Sequence, residues 1–136
     1  MSVIQGLTTS FKKQLLTQGQ NFNTDTFMIA LYNSPATLDY NTTAYSTTNE
    51  VVAAGYTAGG QILTGMAIAS LGNVVFVTFN NAVWSGSITA NCALIYNASR
   101  ANASVAVLDF GSLKSSANTF TAAMPPATST TALLRF

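Results

Sequence analysis

Phe27-Met28-Ile29-Ala30-Leu31-Tyr32 is the stretch on which the fold turns. Phe27, Ile29 and Leu31 alternate with Met28, Ala30 and Tyr32, and this period of two predicts a β-strand. The polar run Asn21 to Thr26 launches it. Asn33-Ser34-Pro35 ends it, because proline cannot continue a ladder and restricts the residue before it. Upstream of Gly19 the period is four. Val3, Leu7, Phe11 and Leu15 recur at that spacing with Ile4 and Leu16 beside them, so residues 2–18 are expected to be helical. Ser2 suits the N-cap, Lys12 and Lys13 lie towards the C-terminal end, and Gly19 follows it. The apolar face of such a helix packs on its own domain or docks on a neighbouring subunit; both readings stay open.

Downstream, strand follows strand. The segment Thr37 to Asn49 has no sustained period and reads as a long surface loop rich in Thr, Asn and Tyr, of the length that suggests a contact role. Val51 to Ala54 precedes a turn at Gly55-Tyr56-Thr57-Ala58-Gly59-Gly60, after which Ile62, Thr64, Met66 and Ile68 alternate. Further strands are expected at Val74 to Phe79, Ala82 to Trp84, Ile88 to Tyr96, Val105 to Phe110, Thr119 to Ala123 and Thr131 to Phe136. Ile88, Ala90, Cys92, Leu94 and Tyr96 are expected to share one face. Short strands punctuated by turns every 8–12 residues or so point to a mainly β fold. The expectation is a single domain over 1–136: one N-terminal helix, then an antiparallel β-sandwich, jelly-roll or Ig-like, over 24–136. No helical pattern separates the strands, which argues against a parallel α/β sheet.

Composition narrows the chemistry. The chain has 136 residues, 49% hydrophobic and only 7% charged, with a net charge of +1 and no histidine. A soluble domain is ordinarily about 25% charged. So little charge gives no footprint for nucleic acid or an anionic membrane, and neither is expected as a partner. Without histidine there is no Ser-His-Asp triad and no imidazole ligand, and one cysteine, Cys92, makes no disulfide or thiolate zinc site. No apolar run approaches the ~18 residues of a membrane span, and no secretory signal is recognisable. No metal, cofactor or catalytic residue is therefore expected, and the chain reads as a non-enzyme.

Individual motifs point the same way. Gly55 and Gly60 have the spacing of a phosphate loop, but Gln61 and Ile62 stand where its Lys and Ser/Thr belong, so a glycine-rich turn is the better reading. The carboxylates Asp25, Asp39, Glu50 and Asp109 form no close pair in sequence, although a glycosidase pair could assemble through the fold. Asp109, in Leu108-Asp109-Phe110-Gly111, suits a turn or strand-end hydrogen bond. Cys92 reads as a small buried hydrophobe, and Trp84 as a core or subunit-interface anchor ahead of a sugar-stacking ring. The N-x-S/T triplets at Asn41, Asn97 and Asn102 are expected by chance in a chain so rich in these residues.

The low charge is the informative anomaly. A freely diffusing protein usually keeps its net charge away from zero, whereas a subunit packed among copies of itself benefits from small uncharged surfaces. Several strings add to this. They are Phe11-Lys12-Lys13-Gln14-Leu15-Leu16, Thr24 to Tyr32, Gly55-Tyr56-Thr57-Ala58-Gly59-Gly60-Gln61-Ile62-Leu63-Thr64-Gly65, Val83-Trp84-Ser85, Ala93-Leu94-Ile95-Tyr96-Asn97 and Leu108-Asp109-Phe110-Gly111. In this order and spacing the chain, over roughly residues 5–136, resembles the head decoration or cement proteins of tailed bacteriophages. It departs from them at Gln61, where relatives often carry Lys.

The resemblance implies a non-enzymatic protein, made in the bacterial host cytoplasm and bound on the virion's capsid surface. Its partners would be the major capsid protein and further copies of itself, with a trimer expected from the resemblance and from the threefold points of an icosahedral shell. A tail- or fibre-associated structural protein is the alternative, and a carbohydrate-binding module a remoter one. Expected interface residues are Val3 and Leu7 on the helix, Tyr40 and Tyr45 in the loop, and Leu133, Leu134 and Phe136 near the end. Removing Leu133 to Phe136 is expected to weaken assembly and leave the β fold intact.

Overall fold

The computed structural model describes residues 2–3, 5–17, 19–33, 37–126, 128 and 130–136. In chain order the elements are β1 (Ser2–Val3), β2 (Gly6–Leu7), α1 (Thr9–Leu16), β3 (Phe27–Tyr32), β4 (Thr37–Leu38), β5 (Gln61–Ile62) and β6 (Ala67–Leu71). They continue with β7 (Val74–Thr78), β8 (Ala82–Ser85), β9 (Thr89–Asn97), β10 (Ala103–Ser115), β11 (Thr119–Ala122) and β12 (Leu134–Arg135). The chain is mainly β with one helix. A five-stranded sheet runs β2-β10-β9-β3-β5, and smaller sheets run β12-β7-β6 and β11-β8. All of these are antiparallel; the two-residue pair β1–β4 is parallel.

The core lies between the layers. Alternate residues of a strand point to opposite faces, and both faces of the five-stranded sheet are covered. On one, Phe27, Ile29 and Leu31 of β3 and Ala93 and Ile95 of β9 meet Val77, Trp84, Phe120 and Leu134 of the smaller sheets and Phe11 of α1. On the other, Ala30, Tyr32, Cys92, Leu94, Tyr96 and Val107 form a second cluster beneath Leu38 and Tyr45. Ser104 pairs with Tyr96 but Ala106 with Ile95, so Val105 is the extra residue of a β-bulge. The bulge turns Val105 and Ala106 both into the main core.

Several expectations are corrected. The helix expected over 2–18 begins only at Thr9, with Thr8 as its N-cap accepting the Phe11 N–H at 3.3 Å. Ser2–Val3 and Gly6–Leu7 are instead drawn out as strands, β2 pairing with the edge of β10. An open sheet edge offers these residues ladder hydrogen bonds, and Gly6, at φ 145°, is a poor helix former. Of the four-residue stripe, Phe11 is buried, Leu15 is partly buried against the core, and Leu16 is exposed. The expected stop at Ser34-Pro35 lies outside the described residues.

Val51 to Ala54 is not a strand; Val51 donates to the Leu31 carbonyl, and the neighbouring pairing is a single bridge between Tyr32 and Glu50. Ile62 and Ile68 belong to strands of different sheets, because the chain turns away after β5. The shared face expected over Ile88 to Tyr96 also breaks. Cys92, Leu94 and Tyr96 line the second cluster, whereas Ile88 and Ala90 line the main core. The phase changes where β10 runs out of register, between Asp109 opposite Cys92 and Lys114 opposite Ala90. β10 likewise continues through Gly111, where an end was expected.

Candidate functional site

The long loop read as a contact segment is held by one buried carboxylate. Glu50 accepts from the hydroxyls of Tyr45 and Tyr56, each at 2.6 Å, and from the Gly59 N–H at 2.8 Å. Tyr56 in turn accepts the Leu31 N–H at 2.9 Å, which ties the loop to β3. Tyr32 donates to the Ser46 carbonyl and Tyr96 to that of Gly59. The Tyr45 ring stacks on Tyr96 with centroids 4.7 Å apart. Burial first, and then the Glu50 carboxylate, pushes the Tyr45 and Tyr56 hydroxyls well above the ordinary phenol range. A phenolate there would lose its hydrogen bond and face the carboxylate. Next to this network lies a shallow cleft of about 310 Å³, lined by Tyr32, Thr37, Leu38, Thr42, Ser46 and Asn49 among others.

This network sorts the expected loop residues. Tyr40 is 53% exposed and stands free to meet a partner, but Tyr45 spends its ring and hydroxyl inside the chain. The termini divide likewise. Leu7 is half-buried on β2, and the side chain of Val3 lies outside the described residues. Gln5 and Gly6 line one small cleft with Thr131, Ala132, Leu133 and Arg135, so the two end segments do come together. Phe136 is half-exposed and exchanges hydrogen bonds with Val75, while Leu134 is fully buried in the main core. Leu134 therefore serves this chain's own packing. The expectation that removing residues 133–136 spares the fold is corrected for the same reason, since it would strip a core side chain and the outer strand of β7.

Sequence reasoning missed the exposure of the hairpin β6–β7. All five residues of β6 are exposed, with Ile68 at 52% and Leu71 at 66%, and Val75 of β7 is exposed beside them. Alternation predicted strands here, but a period of two does not say whether either face is covered. One signal was available: no charged residue lies between Glu50 and Arg100, so this hairpin has no charge to mark it as surface.

The remaining chemistry-bearing groups are committed to structure. Asp25 accepts from the Asn21 N–H, Asn97 Nδ2 and Arg100 Nε at 2.8–2.9 Å. Burial opposes its charge, but these donors outweigh it and hold its carboxyl at about 2. Asn97 also donates to Gln20, so its triplet sits on a buried, engaged amide. Asp109 accepts the Gly111 N–H from within β10 and not at the turn or strand end expected of it, and Asp39 accepts that of Asn41. Trp84 is 5% exposed between Tyr56 and Phe120, a core ring rather than a platform for a sugar. Cys92 is buried, which with Asp109 nearby pushes its thiol up to about 11. The glycine-rich turn has a steric reason: at Gly60, φ 80°, a Cβ would run into the Ile29 carbonyl. Among the described residues no three His, Cys, Asp or Glu side chains cluster to hold a metal, and no helix is long and apolar enough to cross a membrane. What remain as candidate sites are two separate surfaces, the loop around Tyr40 and the charge-free β6–β7 hairpin. No protein-family model matches this chain, and neither a curated protein nor a solved structure is found to be similar to it.

Proposed function

We propose that this chain is a non-enzymatic structural protein of a phage virion, a capsid decoration protein that binds the major capsid lattice as a homo-oligomer. The observation that carries the reading is the surface. A β domain with 7% charged residues leaves Ile68, Val75 and, just past β12, Phe136 exposed on one face of the β6–β7 hairpin, and Leu71 exposed on the other. Apolar groups gathered in this way mark contact sites, and a chain with so little charge to keep copies apart suits a packed assembly. The strings quoted above, Gly55 to Gly65 foremost, supply the resemblance that makes the assembly a capsid.

Binding would bridge adjacent capsid subunits through Thr, Ser, Asn and apolar groups, with little Coulomb attraction to screen. Purified protein should co-sediment with capsids that lack it, and raising the salt from about 0.05 M to 0.5 M should change the bound fraction little. Density for the protein on tails instead of capsids in a virion reconstruction would replace this reading with a tail or fibre role. Hydrolysis of a glycan, lost on substitution of a carboxylate, would overturn the non-enzymatic reading.

A further inference from the structure

The outer edge of β6 is open. β6 is the last strand of the sheet β12-β7-β6, and among the described residues no strand pairs with its far side. Natural sheet edges are usually blunted by a charge, a proline, a bulge or a covering element. Ala67-Ile68-Ala69-Ser70-Leu71 has neither charge nor proline, pairs with β7 in unbroken register, and is exposed throughout.

The hydrogen-bond phase of this edge follows from the hairpin. Leu71 pairs with Val74 across the two-residue turn Gly72-Asn73, which makes them a hydrogen-bonded pair. Leu71, Ala69 and Ala67 therefore direct their backbone groups to β7, and Ile68 and Ser70 direct theirs outward. The far side of β7 agrees: Val75, opposite Ser70, exchanges both its hydrogen bonds with Phe136, the residue after β12.

We propose that β6 pairs with β6 of a second copy, antiparallel, about a two-fold axis at Ala69. The outward groups of Ile68 and Ser70 stand symmetrically about Ala69, so rotation brings Ile68 against Ser70 of the second copy and gives two hydrogen-bonded pairs. Side chains match as well. Leu71 falls opposite Ala67 and Ile68 opposite Ser70, large against small, and Ala69 falls opposite itself, small against small at the axis. A strand with charges would set like against like in such a contact; this one has none to repel. Ile68 also borders an open cleft of about 470 Å³ with Leu15, Phe22 and Arg100, which leaves space along the strand's flank. A contact this small falls short of the roughly 1,200 Å² of stable interfaces, so the pair forms with rising concentration, as it would among copies crowded on a surface. An isologous contact closes as a dimer, unlike the threefold assembly expected from lattice geometry. The inference concerns the chain's own pairing and does not rest on the virion reading.

Cysteine cross-linking of the full chain tests it, since the one native thiol, Cys92, is buried. Ala69→Cys places two thiols directly opposite in a non-hydrogen-bonded pair, where Cβ atoms come closest. Under mild oxidation it should convert to a species of twice 14.2 kDa, while Val52→Cys, at a 96% exposed site, should not. Without oxidant, the parent's weight-average mass in sedimentation should rise towards twofold with concentration. Ala69→Lys and Ser70→Pro should each abolish that rise, and an unchanged thermal midpoint in either one shows that the fold is kept. Cross-linking of Ala69→Cys no greater than that of Val52→Cys, or self-association unchanged in a folded Ala69→Lys, would overturn the proposal. So would capture of an extended foreign segment by an edge that never self-associates.

Discussion

Strand β9 and strand β6 are made of nearly the same material and have opposite fates. Thr89–Asn97 and Ala67–Leu71 are both uncharged, and both mix Ala with branched aliphatic residues. From Ala90 to Asn97, β9 is buried on both faces, whereas β6 is exposed along its whole length. Composition does not separate them; position in the sheet order does. β9 has β10 on one side, β3 on the other, one face on the main core and the other under the Glu50 loop. β6 has a neighbour on one side and solvent elsewhere. In most proteins charge would tell a surface strand from a central one. In a chain this poor in charge the difference is purely topological, and an exposed strand retains the chemistry of a buried one.

Matched substitutions in the two strands break or sharpen that contrast. Ile95→Ala, in the fully buried middle of β9, should cost about 2–5 kcal/mol, read as a lowered denaturant midpoint at constant slope. A cost below about 1 kcal/mol would mean that the main core is looser than its contacts imply.

The cover over the second face comes next. Glu50→Gln presents an NH₂ group to donors that need an acceptor, and should cost about 1–3 kcal/mol. Protease cleavage between residues 37 and 60 should then quicken ahead of global unfolding. The phenols carry a pH signature of this cover. Their folded values lie above the ordinary value near 10, so the stability they contribute is fully present below pH 10 and is lost as pH rises beyond it. In Glu50→Gln the phenolate absorbance of Tyr45 and Tyr56 should appear at lower pH than in the parent, because the carboxylate's share of the shift is gone and burial remains.

At the far end of β9, Asp25→Asn removes a charge held by Arg100, Asn97 and the Asn21 N–H. A carboxyl held at about 2 when folded, against an ordinary 3.8, contributes stability that is present above pH 4 or so and lost as pH falls towards 2. Thermal midpoints measured across that window should fall in the parent and stay flatter in Asp25→Asn. The smallest effect belongs to β6. Ile68→Ala should change stability by no more than ~0.5 kcal/mol, against the several expected for the same truncation at Ile95. A large loss at Ile68 would mean that hairpin and core are coupled, and would end the contrast.

Much of this was legible beforehand because burial leaves a period. The change from four to two after Gly19 announces a β fold, and Phe27 to Tyr32 is a strand to the residue. The buried roles of Cys92 and Trp84 were readable from neighbours in sequence, whereas Asp109, expected at a turn or strand end, lies inside β10. The candidate site was only partly readable. Tyr40 and Tyr45 look alike in a polar loop, and only Glu50, folded back beneath them, turns one inward. Leu133 and Leu134 are adjacent and equally apolar, yet Leu134 is fully buried in the main core, paired opposite the buried Val77, while Leu133 packs against that core only partly buried.

By itself, then, the sequence determined the class of fold, the absence of histidine chemistry, the glycine-rich turn and the scarcity of charge. Tertiary structure decided the rest. It shortened the helix to Thr9–Leu16 by offering Gly6–Leu7 a sheet edge, shifted the phase of β9 opposite the irregular stretch of β10, and left β6 uncovered. The physical reason is that local patterning reports only what a segment can bury, through side-chain spacing and backbone propensity. What it does bury depends on the element packed across from it, and that neighbour comes from a part of the chain that local spacing does not see.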